Sequence, residues 1–258
     1  MSKKLLFLLP IAMLALTGCK GGDDKKSGDD DTSEDVPFIP EVQDSPLKTA
    51  YDACVALANK AESESEYTFE GVVVAKTRNT VFVQKGYCGI QVYGYSGFST
   101  ASVGKSVSVT STLTKYNGIV ETKTVSAGTI GEDAQLETKV EILSANQLGQ
   151  LRQNIMCNAK LKFVSSDGDW TPYVDSSNKG HAALVTCKVL NHNDDEVADT
   201  VIKFDKDAYE SATATVVNGM QEGDVFTVDN IVTTAFSTSG DATVNQLLFC
   251  GTSSYAKL

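Results

Sequence analysis

From Tyr67 onward the apolar residues recur at every second position. "YTFEGVVVAK" sets Phe69, Gly71, Val73 and Ala75 on one face, and "TVFVQ" sets Val81 and Val83 against Phe82 and Gln84. "GIQVYG" repeats the division, with Ile90 and Val92 opposite Gln91 and Tyr93. "VGKSVSVTSTL" opens on a glycine turn and aligns Val107, Val109 and Leu113, while "KYNGIVETKTV" supplies an Asn117-Gly118 turn and another strand. Period-two alternation of this kind predicts half-buried strands. Five of them in succession, with glycine turns, predict a small closed barrel, because an open curved sheet would leave edges free to pair. Upstream the period is helical: Leu47, Ala50, Cys54, Leu57 and Ala58 share one stripe over residues 47–60, and "AESESE" then breaks it.

The alternation returns further on. "GQLRQNIMCNAKLKFVSSDGDW" predicts a strand with Ala159, Leu161 and Phe163 on one face, and "HAALVTCKVL", "VIKFD" and "VNQLLFCG" predict others. "MQEGDVFTVDNIV" overlays "ASVGKSVSVTSTL", with Gly223 on Gly104, Phe226 on Val107, Val228 on Val109 and Val232 on Leu113. The fold class expected is therefore mainly all-β: two small barrels in tandem, a short helix before the first and a partly helical linker between them. The boundaries read as 46–128 for the first helix and barrel, 129–152 for the linker, helical from Ser144, and 153–258 for the second barrel. A chain of 258 residues with 41% hydrophobic side chains suffices for two such cores.

The first residues carry a different pattern. Lys3 and Lys4 precede an apolar run from Leu5 to Leu16 that is too short to span a bilayer as a mature helix, and "LTGC" follows, ending at Cys19. This resembles a bacterial lipoprotein signal, which implies lipidation of Cys19 and an extracytoplasmic, membrane-anchored protein. Residues 20–45 hold nine acidic and three basic side chains with few apolar ones, the composition of a disordered tether. Its acidity is consistent with display at the cell surface. Five cysteines follow Cys19, with no CxxC and no zinc spacing. An odd number leaves at least one unpaired in a monomer; for Cys187 and Cys250, in apolar runs, a buried thiol and a bridge both stay open.

The order "YTFEGVVVAK", "VFVQKGYCGIQVYG", "VGKSVSVTSTL", "KYNGIVE", about 60 residues in all, resembles the OB-fold and in particular a bacterial secreted branch of it. That branch usually has Gln-Asp-Gly in the turn between strands two and three; here the turn is Gln84-Lys85-Gly86, with a base in place of the acid. Relatives often sit beside secreted nuclease or phosphoesterase domains. No such domain follows "LLFCGTSSYAKL", so the resemblance implies an accessory or capture module. OB barrels take strands of nucleic acid or sugar on the outer face of strands two and three, between the one–two and four–five loops.

Charge sharpens that expectation. The formal net charge is -11, yet residues 67–126 carry six bases and two acids, whereas residues 127–258 carry nine bases and eighteen acids. The expected ligand face of the basic module holds Phe82, Gln84, Gln91 and Tyr93, with Lys76 and Arg78 in the one–two loop and Lys115, Tyr116 and Asn117 in the four–five loop. Outward aromatics can stack bases while cations track the backbone, which points to single-stranded nucleic acid. An oligosaccharide or an envelope protein are the other partners this face would suit. The structural alternative is that Phe82 and Tyr93 pack beneath the helix or the second barrel, as cross-strand aromatics often do.

No catalytic chemistry is legible. His181 and His192 have no second His or Cys at ligand spacing, and "SSDGDW" lacks the distal Glu of a calcium loop. "VGKSV" lacks the upstream Gly of a phosphate loop, and "GYSGF" misses nucleophile-elbow spacing. The sequence thus predicts a non-enzymatic protein without cofactor or metal.

Overall fold

The computed structural model describes residues 41–137, 139–208 and 211–258. The expected leader, Cys19 and most of the acidic tether fall outside the described residues.

The helical stripe forms α1, Pro46–Ala56. Ser45 caps it by accepting from Lys48 N at 3.1 Å, and Pro46 takes a first-turn position where a missing N–H costs nothing. Leu57 leaves the helix with ψ 150, so the element is shorter than the 47–60 expected and Ala58 ends exposed. At the other terminus the Lys115 ammonium donates to the carbonyl of Val55 at 2.8 Å, satisfying one of the orphan acceptors of the last turn. Leu47, Ala50, Tyr51 and Cys54 are the buried face.

The five alternating segments become β1 (Tyr67–Lys76), β2 (Thr80–Lys85), β3 (Cys88–Tyr93), β4 (Lys105–Tyr116) and β5 (Ile119–Asp133). They close in the order β1-β2-β3-β5-β4, and the β3–β5 contact is parallel, reduced to one paired position, Gln91 with Glu121. The inward set is the expected one: Phe69, Val73, Val81, Val83, Ile90, Val92, Val107, Val109 and Leu113 form one core with the buried face of α1. Ala75 is the exception. A bulge between Val73 and Ala75 breaks the parity of β1 and turns Ala75 outward. β5 continues past residue 128, still paired to β4 at Asp133 with Lys105, because the β4 strand offers partners that far.

The linker contains β6 (Val140–Ile142), paired in parallel with the next strand, and α2 (Ala145–Gln150), capped by Ser144 through Gln147 N at 3.1 Å. Then come β7 (Met156–Asp167), β8 (Ala183–Leu190), β9 (Glu196–Phe204), α3 (Ser211–Asn218), β10 (Val225–Thr234), β11 (Gln246–Phe249) and β12 (Ser254–Lys257). β7-β8-β9-β11-β10 closes through a β10–β7 pairing, again with its one parallel step between third and fifth strands, and β6 and β12 add to the rim. Both barrels therefore share one strand permutation, and each follows a Ser-capped helix that exits at a leucine, Leu57 or Leu151. Gly104 and Gly223, which the sequences align, sit at φ 90 and φ 92 before the fourth strands. The overlay fails at Val232: a bulge between Val228 and Ile231, with Asn230 at φ 55, puts Ile231 in the second core and swings Val232 out of it.

Those two bulges serve one purpose. They direct Val74 and Ala75 from β1 and Val232 from β10 into a shared apolar cluster with Phe82, Met156, Leu248 and Cys250. The barrels are joined by this third core rather than by a flexible tether.

Candidate nucleic-acid interface

The outer face of β2 and β3 reads, in paired positions, Thr80 with Tyr93, Phe82 with Gln91, and Gln84 with Gly89. Strand parity is as the sequence predicts, but the destination of the outward side chains is not. Phe82 is 1% exposed, held in the cluster between the barrels. Gln84 is fully buried: its Oε1 accepts from Met156 N at 2.7 Å and its Nε2 donates to Gly86 O at 2.7 Å. Neither can meet a ligand. The second barrel has taken the centre of the face, because an apolar ring and a buried amide there are stabilised by covering them.

Residues just before β7 extend this coverage. Gln153 Oε1 accepts from Val120 N at 3.2 Å, and its Nε2 donates to Gly118 O at 2.8 Å and to Ala242 O at 2.7 Å. Asn154 Nδ2 reaches Val120 O at 3.0 Å. These amides occupy the seam where β3 and β5 are too far apart to pair along their length, and satisfy β5 backbone groups that would otherwise be orphaned in the interior. The backbone follows closely: a Cβ on Gly89 would lie 2.1 Å from Asn154 O, so only glycine fits opposite the insertion.

What remains of the face is two separated ends. At the Thr80–Tyr93 end, Tyr93 is 55% exposed. Beside it a pocket of about 260 Å³ opens between residues 76–81 and 92–99. Lys76, Arg78, Asn79, Thr80, Tyr95 and Ser96 line it, and among the described residues no carboxylate does. Its walls are fixed: Gly94 N donates to Asn79 O at 2.7 Å, and Tyr95 meets Phe98 edge-on at 5.0 Å. The Lys76 ammonium donates to the carbonyls of Ser99 and Ala101, at 2.7 and 2.9 Å, which uses two of its three protons and leaves the charge in place. The Arg78 guanidinium lies 3.5 Å from the centroid of the Tyr173 ring, a cation–π contact that keeps its charge.

Gln91 lies between centre and rim, half-buried, donating to Glu121 Oε2 at 3.1 Å. Burial pushes the Glu121 carboxyl up to about 7, the Lys123 charge acting in the opposite direction. At the other end of the face, Lys115 is engaged with α1, and Asn117, at φ 49, gives its N–H to Asn59 Oδ1 and accepts from Ser237 N at 2.7 Å. Tyr116 is 49% exposed, with the Lys60 ammonium 5.6 Å from its ring centroid.

The face expected as one continuous surface is thus divided, and only Lys76, Arg78 and Tyr93 come together among the residues singled out. Tyr95 and Asn79 complete their pocket; both flank the second strand pair in sequence, but nothing in alternation marks loop residues as lining. Gln153 and Asn154 open the expected second barrel but precede its alternating positions, so period two gives them no role. All five cysteines of the described residues are buried, free thiols, which resolves the alternative left open for Cys187 and Cys250.

No family model matches the chain, and no curated protein matches it. Among solved structures, the chain is similar to fission yeast Pot1 with ssDNA (11% identity, 86% of this chain and 90% of that one, TM-score 0.36). It is also similar to a Replication Protein A heterotrimer bound to ssDNA (9%, 75% and 49%, 0.32) and to a murine DNA binding protein bound with ds DNA (10%, 75% and 95%, 0.33). The fold is read from the strand order itself, and these likenesses carry no part of it.

Proposed function

We propose that this chain is a non-catalytic binding protein, held outside a bacterial membrane by a lipid on Cys19, whose first barrel takes single-stranded nucleic acid at the Arg78–Tyr93 end of its face. The anchor rests on the sequence alone, on the charged, apolar and small-residue order that ends at Cys19. One observation carries the ligand: a pocket lined, among the described residues, by two cations and no carboxylate opens beside a solvent-facing tyrosine. A phosphate seated against Lys76 and Arg78 would place the neighbouring base over Tyr93, where stacking contributes roughly 1–3 kcal/mol. With the centre of the face covered, the contact is short, so the affinity is modest and few phosphates are engaged.

The test is fluorescence anisotropy of the full chain with a labelled oligothymidylate of roughly 12 nucleotides, within the site sizes of single OB barrels. Two phosphate contacts give a slope of log affinity on log salt near about -1.4, and Arg78→Gln flattens it by about 0.7. Absence of binding at about 50 mM salt, or a slope untouched by Arg78→Gln, refutes the reading.

A further inference from the structure

We infer that Tyr173 of the second barrel is a positioning residue for the Lys76–Arg78 pocket of the first, holding the Arg78 guanidinium in place for a phosphate without neutralising it. This rests on the nucleic-acid reading of that pocket and brings a residue of the other barrel into it. Arg78 lies between β1 and β2, and Tyr173 between β7 and β8, so the first connections of the two barrels meet here. The guanidinium of exposed Arg78 stands 3.5 Å from the centroid of the partly buried Tyr173 ring.

Both residues are tied to the same turn. Arg78 N donates to Asp207 O at 3.3 Å, and Tyr173 N donates to the adjacent carbonyl, Lys206 O. That turn is closed by Asp205, whose Oδ1 accepts from Asp207 N and whose carbonyl accepts from Ala208 N, each at 3.0 Å. The loop behind the ring is equally fixed. Thr171 N donates to His181 O at 2.8 Å, and a Cβ on Gly180, at φ 65, would lie 2.3 Å from Thr171 O. Ring and guanidinium are therefore brought together by main-chain bonds on both sides.

The use of a ring in place of a carboxylate decides the role. Either can order an arginine, but a carboxylate cancels its charge and an aromatic face does not. Among the described residues Arg78 enters no ion pair. Lys206, 5.8 Å from the same ring centroid, is paired with Asp207 Oδ1 at 3.4 Å. Of the two cations on the ring, Lys206 is thus neutralised and Arg78 keeps a charge for a ligand. A long side chain ordered before a phosphate arrives has less rotamer freedom to lose on binding. A contact that only fastened the barrels together would be served as well by a carboxylate.

The experiment is the oligothymidylate titration at several salt concentrations, run on the full chain with Tyr173→Leu, Tyr173→Phe, Arg78→Gln and the Tyr173→Leu/Arg78→Gln pair. Tyr173→Leu is expected to weaken binding about threefold to tenfold, the range of a lost cation–π contact. It also flattens the salt slope towards that of Arg78→Gln, since the charge is no longer held at the phosphate. Tyr173→Phe keeps affinity and slope, and adding Tyr173→Leu to Arg78→Gln costs less than about twofold more, because the two changes remove one interaction. Proton NMR of the free chain reads the contact without ligand: the Arg78 Hε signal is shifted upfield by the ring, keeps that shift in Tyr173→Phe and loses it in Tyr173→Leu. Oligothymidylate binding whose affinity or salt slope Tyr173→Leu leaves intact overturns the inference alone, as does a loss that Tyr173→Phe shares or an Arg78 signal without the ring shift. A ring-shifted Arg78 in an unmodified chain that binds no oligothymidylate overturns the reading of the pocket, and the role of Tyr173 with it.

Discussion

The side-chain carbonyl of Gln84, on the outer face of the first barrel, accepts the backbone N–H of Met156, the first residue of the second barrel's opening strand, at 2.7 Å. Both ends of that bond are buried, and it sits beside the apolar cluster built on Phe82. Because the donor is main chain, the second barrel cannot step away from the first without stranding it.

Replacing Gln84 by Met keeps the volume and removes the acceptor. The expected cost is about 1–3 kcal/mol, the penalty of a buried N–H left unmade. Phe82→Ala should cost more, about 3–5 kcal/mol, through the cavity it opens. Urea unfolding of both variants followed by far-UV dichroism checks this. A single shared transition for the two barrels is the accompanying result; two separated transitions in the unmodified protein would contradict the joint core.

Gly89→Ala asks whether the amides of Gln153 and Asn154 are truly inserted in the seam. An added methyl would meet Asn154 O at 2.1 Å, backbone that cannot yield without pulling the insertion out. Destabilisation of at least about 1–3 kcal/mol is expected from overpacking. Gly149→Ala, where open space surrounds the position, should be near neutral by the same melt.

The thiols offer a chemical check. Burial pushes Cys54, Cys88 and Cys187 up to about 12, so almost no thiolate is present near neutrality. With Ellman's reagent at about pH 8, none of the five buried cysteines should react in native buffer, and all five should react in denaturant. Rapid native labelling would mean that a core is open.

Glu121 gives the stability a defined pH dependence. Its carboxyl is raised from 4.5 to about 7 in the folded state by burial. Below about 4.5 both states hold the proton; between there and about 7 the unfolded chain ionises first, so Glu121 lowers stability as pH rises through that window and adds no further slope above it. Glu121→Gln should remove this slope and raise stability near pH 8 relative to the unmodified chain, measured as the difference in melting temperature at pH 5 and pH 8. An unchanged difference would contradict the assignment.

Much of the fold was legible because alternation is a local property. The inward set from Phe69 to Leu113 follows from period two alone, and the Asn117-Gly118 turn follows from its residue types. Bulges are not local in that sense. Nothing in "VVVAK" or "VDNIV" states where a strand gains a residue, and each bulge moved a side chain, Ala75 or Val232, from one core to another. The candidate site suffered from the same limit. Parity gives the direction in which Phe82 points, but what lies in that direction depends on a segment more than seventy residues away.

The central claim is that recognition has been displaced from the middle of the first barrel's face to its Arg78–Tyr93 rim. It is tested most directly by titrating a labelled oligothymidylate against three proteins, the unmodified chain, Tyr93→Ala and Phe82→Leu, at low salt. The account predicts that Tyr93→Ala weakens binding by roughly 1–3 kcal/mol, the worth of one stacked base, while Phe82→Leu, still folded, binds as the unmodified chain does. Affinity lost with Phe82 and kept without Tyr93 would contradict it.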